Sequence, residues 1–263
     1  MNPNKRVHVR VKSDQLVVSG ISDTGSIRTE NQDSIYLDKG GSFVLLADGM
    51  GGHERGAEAS QAIIDLLPQY LSPERIAHEL GEITKVEGVP PEVICLFSLI
   101  DKGVNRVNKM LYEKNVNEGV DRFMGSTLAG LAQLQKQYIV WFHVGDSRIY
   151  RYRNNALNQL SEDHSAYNEW KRKGGTGGEP AKNIVTRAIG PKEGVITDIN
   201  WEERRKDDLY ILCSDGLNDM VSDDRIADII AESSDVDSMA VNLVTAALDA
   251  GGKDNTSVIV CRT

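Results

Sequence analysis

Apolar positions fall in short unbroken runs, and many of these runs end in an acid. Residues 42–48, SFVLLAD, are apolar on successive positions and stop at Asp48. Residues 137–146, QYIVWFHVGD, and 208–215, DLYILCSD, have the same form. Runs of this length without alternation predict strands covered on both faces. Further strands are predicted at LVVSGISDTG (16–25), SIYLD (34–38), GSTLAGLAQL (125–134), SRIYRYRN (147–154), VITDINW (195–201) and NTSVIVCRT (255–263). ALNQLS (156–161) would pair with the 147–154 strand.

Helical spacing replaces these runs elsewhere. Ala59, Ala62, Ile63, Leu66 and Leu67 recur on one face, predicting an amphipathic helix from near Arg55. A long helix is predicted just after Pro91. Residues 222–233 and 235–251 read as helices opened by Ser222 and Asp235 as N-caps. Residues 73–90 are mixed, and residues 1–15 read as a loose arm or edge strand. Residues 162–183 hold KRKGGTGGEPAKN, too glycine-rich for regular structure, and predict a mobile surface loop. Helices come in pairs between groups of strands, which argues against a doubly wound parallel sheet. The predicted fold is α+β: two mostly antiparallel sheets packed together with helices outside, an α-β-β-α sandwich over a single domain of residues 1–263.

Composition narrows the function. The net charge of −9 argues against a nucleic-acid binder. Cys95, Cys213 and Cys261 form no CxxC pair, so a reducing, cytoplasmic compartment is expected. The amino terminus has no secretory h-region, and no apolar run approaches membrane-spanning length.

The acids at the strand ends carry the chemistry. Asp48, Asp146 and Asp215 end core runs; Asp33 and Asp254 precede them. A single such Asp is usually a turn residue or cap. If all five converge, they need a compensating charge, and an all-carboxylate set favours hard divalent cations such as Mg²⁺ or Mn²⁺. Arg28, five residues before Asp33, would hold a phosphate beside them, or it is an ordinary surface arginine. Rival chemistries lack their motifs. The glycines at 49–52 lack a GK[ST] ending, GxSxG is absent, and no Cys is followed by five residues and an Arg.

Eight stretches in order resemble the metal-dependent serine/threonine protein phosphatases of type 2C, bacterial branch. They are DTGSIRTENQDS (23–34), LLADGMGGHERGAEAS (45–60), GSTLAG (125–130), HVGDSRIYR (143–151), LSEDHS (160–165), NIVTRAIG (183–190), LYILCSDGLNDMVSD (209–223) and GGKDNTSVIV (251–260). The resemblance implies the four-layer sandwich and two or three Mn²⁺ or Mg²⁺ ions. Asp48 would bridge two metals, Gly49 would offer its carbonyl, Asp215 and Asp254 would be further ligands, and Asp33 would be a ligand or an acid supporting the ligands from behind. Asp146 and Asp219 would hold a third, weaker metal, and Arg28 would bind phosphate.

The implied reaction is hydrolysis of phosphoserine and phosphothreonine on proteins by a metal-bridging hydroxide, opposing a bacterial Ser/Thr kinase and acting on that kinase and its substrates. The family default is a monomer. The alternative is a catalytically inactive member acting as a phosphoprotein-binding regulator.

Two departures stand out. Met50 occupies the place of the histidine that follows the Asp-Gly pair in animal members, which leaves His53 as either proton donor or bystander. The flap-like segment after residues 163–165 is short and glycine-rich. Its Lys171, Arg172 and Lys173 would meet an acidic phosphoprotein or simply be solvated.

Overall fold

The computed structural model describes residues 6–14, 16–51, 54–81 and 86–263. Two antiparallel sheets lie face to face. The first has the order β1 (Arg6–Lys12), β2 (Val17–Asp23), β12 (Thr256–Arg262), β11 (Leu209–Cys213), β8 (Arg148–Arg153), β9 (Ala156–Gln159). The second has the order β10 (Asp198–Glu203), β7 (Tyr138–Val144), β6 (Leu128–Leu134), β4 (Phe43–Met50), β3 (Asp33–Leu37), with the short β5 (Gly125–Ser126) on the end of β4. Helices α1 (Glu54–Leu66) and α3 (Pro91–Glu118) cover the second sheet, and α2 (Pro73–Leu80) packs on α3. Helices α6 (Asp223–Glu232) and α7 (Val236–Asp249) cover the first. Two short helices, α4 (Ala166–Arg172) and α5 (Asp215–Asn218), lie in connections.

The unbroken apolar runs follow from this layering. Successive side chains on a strand point to opposite faces, and here both faces are dry. In β4, Leu45 packs toward α1 and α3 while Leu46 packs between the sheets. In β7, Val140 and Phe142 face the helices and Ile139 and Trp141 face the other sheet. In β11, Ile211 faces α6 and α7 while Leu212 faces inward. Each such fully buried Leu or Ile stabilises the fold by about 1.5–3 kcal/mol relative to exposure. Strands held on two sides in this way have little freedom to shift, so whatever stands at their ends is placed at a fixed depth.

Four local expectations are revised and a fifth is narrowed. The strand expected to stop at Asp48 continues to Met50, because it leaves β6 after Leu46 and pairs with β5, Gly49 opposite Ser126. The mixed stretch 73–90 contains α2, nucleated by Pro73 at its first position and capped by Ser72, whose Oγ accepts from the Arg75 N–H. The loop expected at 162–183 contains α4, capped by Ser165, whose side chain accepts from the Asn168 N–H. Residues 162–164 before it and the glycine-rich remainder after it are irregular. The run expected to end at Asp215 stops as a strand at Cys213, and Asp215 opens α5. Of the amino-terminal stretch, residues 6–12 form an edge strand, pairing through its full length with β2; residues 1–5 lie outside the described set.

Candidate metal and phosphate site

Both sheets deliver acids to the same end of the sandwich. Asp33 and Asp48 are direct cross-strand partners on β3 and β4. In the first sheet β11 and β12 are antiparallel, so Asp215, two residues past the end of β11, and Asp254, two residues before β12, lie at one end. Asp146 follows β7 through Gly145, whose φ of 105° turns the chain sharply. The result is a cleft of about 780 Å³ lined by Arg28, Asp48, Gly49, Asp146, Asp215 and Asp254. Asp33 lies beneath it and is buried. Asp219 is exposed in an adjoining depression shared with Asp146 and Asp215. Arg28 Nη2 donates to Asp254 Oδ2 at 2.7 Å. His53 lies outside the described residues.

A set of polar tethers, none of them singled out in the sequence, fixes the acids. The Asp48 N–H donates to Thr127 Oγ1 (3.0 Å), the Thr127 N–H donates back to the Asp48 carbonyl (2.9 Å), and Ser126 Oγ donates to that same carbonyl (2.9 Å). Ser214 Oγ donates to Asp33 Oδ2 at 2.9 Å. The Asn255 side chain accepts from the Gln32 N–H and donates to the carbonyls of Thr24 and Glu30, which ties the Arg28 segment to β12. Its own N–H donates to Asp254 Oδ1 at 2.8 Å.

Gly49 is glycine for a packing reason. A Cβ there would sit 2.0 Å from the Gly56 carbonyl oxygen and 2.7 Å from that of Gln32. The residue is glycine because α1 and the segment before β3 press against its backbone. Gly51 makes room in the same way for the Met124 backbone, 2.9 Å from where its Cβ would be.

The acids repel one another. Burial, followed by the neighbouring charge of Asp33, holds the Asp48 carboxyl well above the usual carboxylate range. Burial, followed by Asp146 and Asp254, does the same to Asp215. Burial, with Asp163 and Asp219 adding to it, pushes Asp146 up to about 6. Asp33 Oδ1 is buried without a hydrogen-bond partner. A partly buried, mutually repelling set of carboxylates with one orphaned oxygen is suited to cations.

A second cluster lies behind this site. Among the described residues, His143, His164 and Asp198 form the group whose candidate ligand atoms all lie within 4.8 Å of one another. The two rings stack at 4.7 Å. Proton placement argues against a metal there. His164 Nδ1 accepts the Gly145 N–H at 3.0 Å, so Nε2 keeps its proton and donates to Asp198 Oδ2 at 3.2 Å. His143 Nε2 donates to the Glu162 carbonyl. Burial, with His143 and Arg187 beside it, lowers His164 to about 4, which keeps the ring neutral. The His164 N–H also donates to the Gly145 carbonyl at 2.9 Å. His164 therefore anchors the Gly145–Asp146 turn to the start of the flap-like segment. Within that segment, Arg172 lies 3.7 Å from Glu162 and Lys173 3.7 Å from Glu169, both exposed.

The comparisons with known proteins agree with this architecture. The family model described as "Protein phosphatase 2C" matches residues 27–249. The protein phosphatase PhpP of Streptococcus pneumoniae is 33% identical over 252 residues, covering 92% of this chain and 96% of its own. PppA, described as a regulatory component of the type VI secretion system in Pseudomonas aeruginosa, superposes with a TM-score of 0.80 at 28% identity, covering 95% and 98% of the two chains. The catalytic domain of the serine/threonine protein phosphatase PstP, solved with two manganese ions, gives 0.74 at 31% identity, covering 94% and 97%. Matched over most of its length in sequence and in fold, the chain belongs to the bacterial branch of the protein phosphatase 2C family.

Proposed function

We propose that the chain is a Mn²⁺- or Mg²⁺-dependent phosphatase that removes phosphate from serine and threonine side chains of proteins. One observation carries this reading: four acids far apart in sequence, Asp33, Asp48, Asp215 and Asp254, meet at one cleft with Arg28 at its edge. The relatives named as serine/threonine phosphatases, and the PstP structure with two manganese ions, point the same way.

The donor set fits divalent cations. It is all oxygen, it contains an orphaned buried carboxylate oxygen on Asp33, and the Asp48 and Asp215 carboxyls are raised by burial and by neighbouring acids. Asp33, Asp48, Asp215, Asp254 and the Gly49 carbonyl would hold two ions, and Asp146 with Asp219 a third. Bound there, the cations neutralise the carboxylates and supply an attacking water of lowered pKa near neutral pH.

The chain's own residues do the remaining work. Arg28 uses one N–H on Asp254 and keeps the rest of its fork for phosphoryl oxygens, where charge accumulates during in-line displacement. Thr127 and Ser126 hold the Asp48 backbone, Ser214 orients Asp33, and Asn255 keeps the Arg28 segment against Asp254. Tethers of this kind hold ligands within the tolerance that metal chemistry requires.

In this reading residues 1–263 act as one catalytic domain, a cytoplasmic monomer working on proteins phosphorylated by a Ser/Thr kinase. Every acid of the set is retained, so nothing favours a non-catalytic regulator. The test is turnover of p-nitrophenyl phosphate and of a phosphothreonine peptide with Mn²⁺, with and without chelator. Turnover of both that the chelator abolishes is expected; none in any metal would overturn the proposal.

A further inference from the structure

The wall of the catalytic cleft carries a second cation that the metal and phosphate site does not use. Arg122 lies in the turn between α3 and β5 and lines the same cleft as Arg28. The turn is firmly held. Gly119 ends α3 in the left-handed conformation. The Phe123 ring meets Tyr112 edge-on at 6.2 Å. The Met124 backbone is gripped on both sides by Asn115, whose Oδ1 accepts the Met124 N–H and whose Nδ2 donates to its carbonyl. Close packing of Gly51 on Met124, and pairing of Met50 with Gly125, fix this turn beside the end of β4 that carries Asp48.

Arg122 itself is exposed, and among the described residues no acid lies within ion-pair distance of it. Arg28, by contrast, is already held by Asp254. An unpaired guanidinium carried by a firmly held turn on a substrate cleft is suited to bind an anion that arrives with the substrate.

We infer that Arg122 is a specificity-determining residue that binds a second anionic group, a carboxylate or a second phosphoryl group, on peptides carrying the target phosphoserine or phosphothreonine. The inference rests on the phosphatase reading above. The anchored turn limits the entropy lost when the guanidinium closes on such a group, so the gain falls in substrate binding and not in the chemical step.

The experiment compares p-nitrophenyl phosphate with three phosphothreonine peptides: neutral flanks, glutamates a few residues to either side, and a second phosphoserine at those places. The wild type is expected to favour the acid-bearing peptides by about tenfold in kcat/KM, through KM, with the preference shrinking at high salt. R122A removes the preference and leaves p-nitrophenyl phosphate and the neutral peptide unchanged. R122K keeps part of it, and R122E inverts it. The two acidic peptides separate a carboxylate from a phosphoryl preference. Equal losses of R122A on all four substrates, or a wild type with no preference, would overturn the inference. Absence of p-nitrophenyl phosphate turnover would instead overturn the phosphatase reading. In that event fluorescence polarisation of the labelled doubly phosphorylated peptide still decides on Arg122, since equal affinity of wild type and R122A would exclude it.

Discussion

Asp146→Asn should stabilise the metal-free protein while weakening the metal-loaded one. The carboxyl of Asp146 is buried and pushed from its ordinary 3.8 up to about 6, chiefly by burial, with Asp163 and Asp219 adding to it and Arg148 opposing. A rise of about two pH units corresponds to about 3 kcal/mol at 1.36 kcal/mol per unit. The sign follows from linkage. The folded state binds this proton more tightly than the unfolded chain. Below pH 3.8 both states hold it and the group is neutral to stability. Stability then falls as pH rises towards 6, and above 6 the full penalty applies. An amide carries no such penalty. At pH 7.5, with chelator, the variant should therefore be more stable by up to about 3 kcal/mol, which is about 5–10 °C in Tm for a chain of this size. The gap should close towards pH 4. Excess Mn²⁺ should raise the wild-type Tm more than that of the variant. Thermal unfolding followed by circular dichroism across this pH range decides the matter. A variant no more stable than wild type at pH 7.5 in chelator, or a gap that does not narrow in acid, would refute the account of Asp146 as a buried, repelled carboxylate.

Three further substitutions test other parts of the site. Arg28→Ala should lower kcat/KM on p-nitrophenyl phosphate by about 10²–10³-fold, with Arg28→Lys restoring only part because lysine lacks the planar fork; unchanged steady-state kinetics would remove Arg28 from phosphate binding. Ser214→Ala deprives Asp33 Oδ2 of its 2.9 Å donor. It should weaken Mn²⁺ binding by about 10–100-fold in calorimetry, and intact affinity would show that the tether is dispensable. Gly49→Ala would drive a Cβ to 2.0 Å from the Gly56 carbonyl, a contact no rotamer relieves. Its urea midpoint should fall by the equivalent of about 1–3 kcal/mol or more, and an unchanged midpoint would show that α1 can give way.

The sandwich and its acids were legible in the sequence for the same reason. A strand buried on both faces leaves an unbroken apolar run, and an acid at its end interrupts that run visibly, as at Asp48 and Asp215. The antiparallel arrangement followed from helices arriving in pairs. What stayed hidden had partners far away in the chain. Thr127 reaches Asp48 across 79 residues, and Ser214 reaches Asp33 across 181. A serine or threonine near a strand end looks like any turn residue until the fold supplies its partner. Helices α2 and α4 escaped because both are short and polar, and their start signals, Ser72 with Pro73 and Ser165, sit in stretches without a long apolar stripe. The reason for glycine at position 49 was hidden as well, since it lies in backbone crowding from Gly56 and Gln32 that only the fold creates.

The same layering explains why so unfavourable a group of charges is tolerated. Asp33 and Asp48 face each other across one sheet, while Asp215 and Asp254 stand at the matching end of the other. Their strands cannot splay to relieve the repulsion, because Leu45 and Leu46, or Ile211 and Leu212, are locked into dry layers on opposite faces. The repulsion is therefore retained by the fold and must be offset by proton uptake or by cations. A cation present at a hundred times its dissociation constant adds about 2.7 kcal/mol, close to the penalty that Asp146 alone imposes above pH 6. Metal occupancy and pH should thus substitute for one another in stabilising this protein: the metal-free form is most stable in mild acid, and the metal-loaded form near neutrality, where the ligands are ionised.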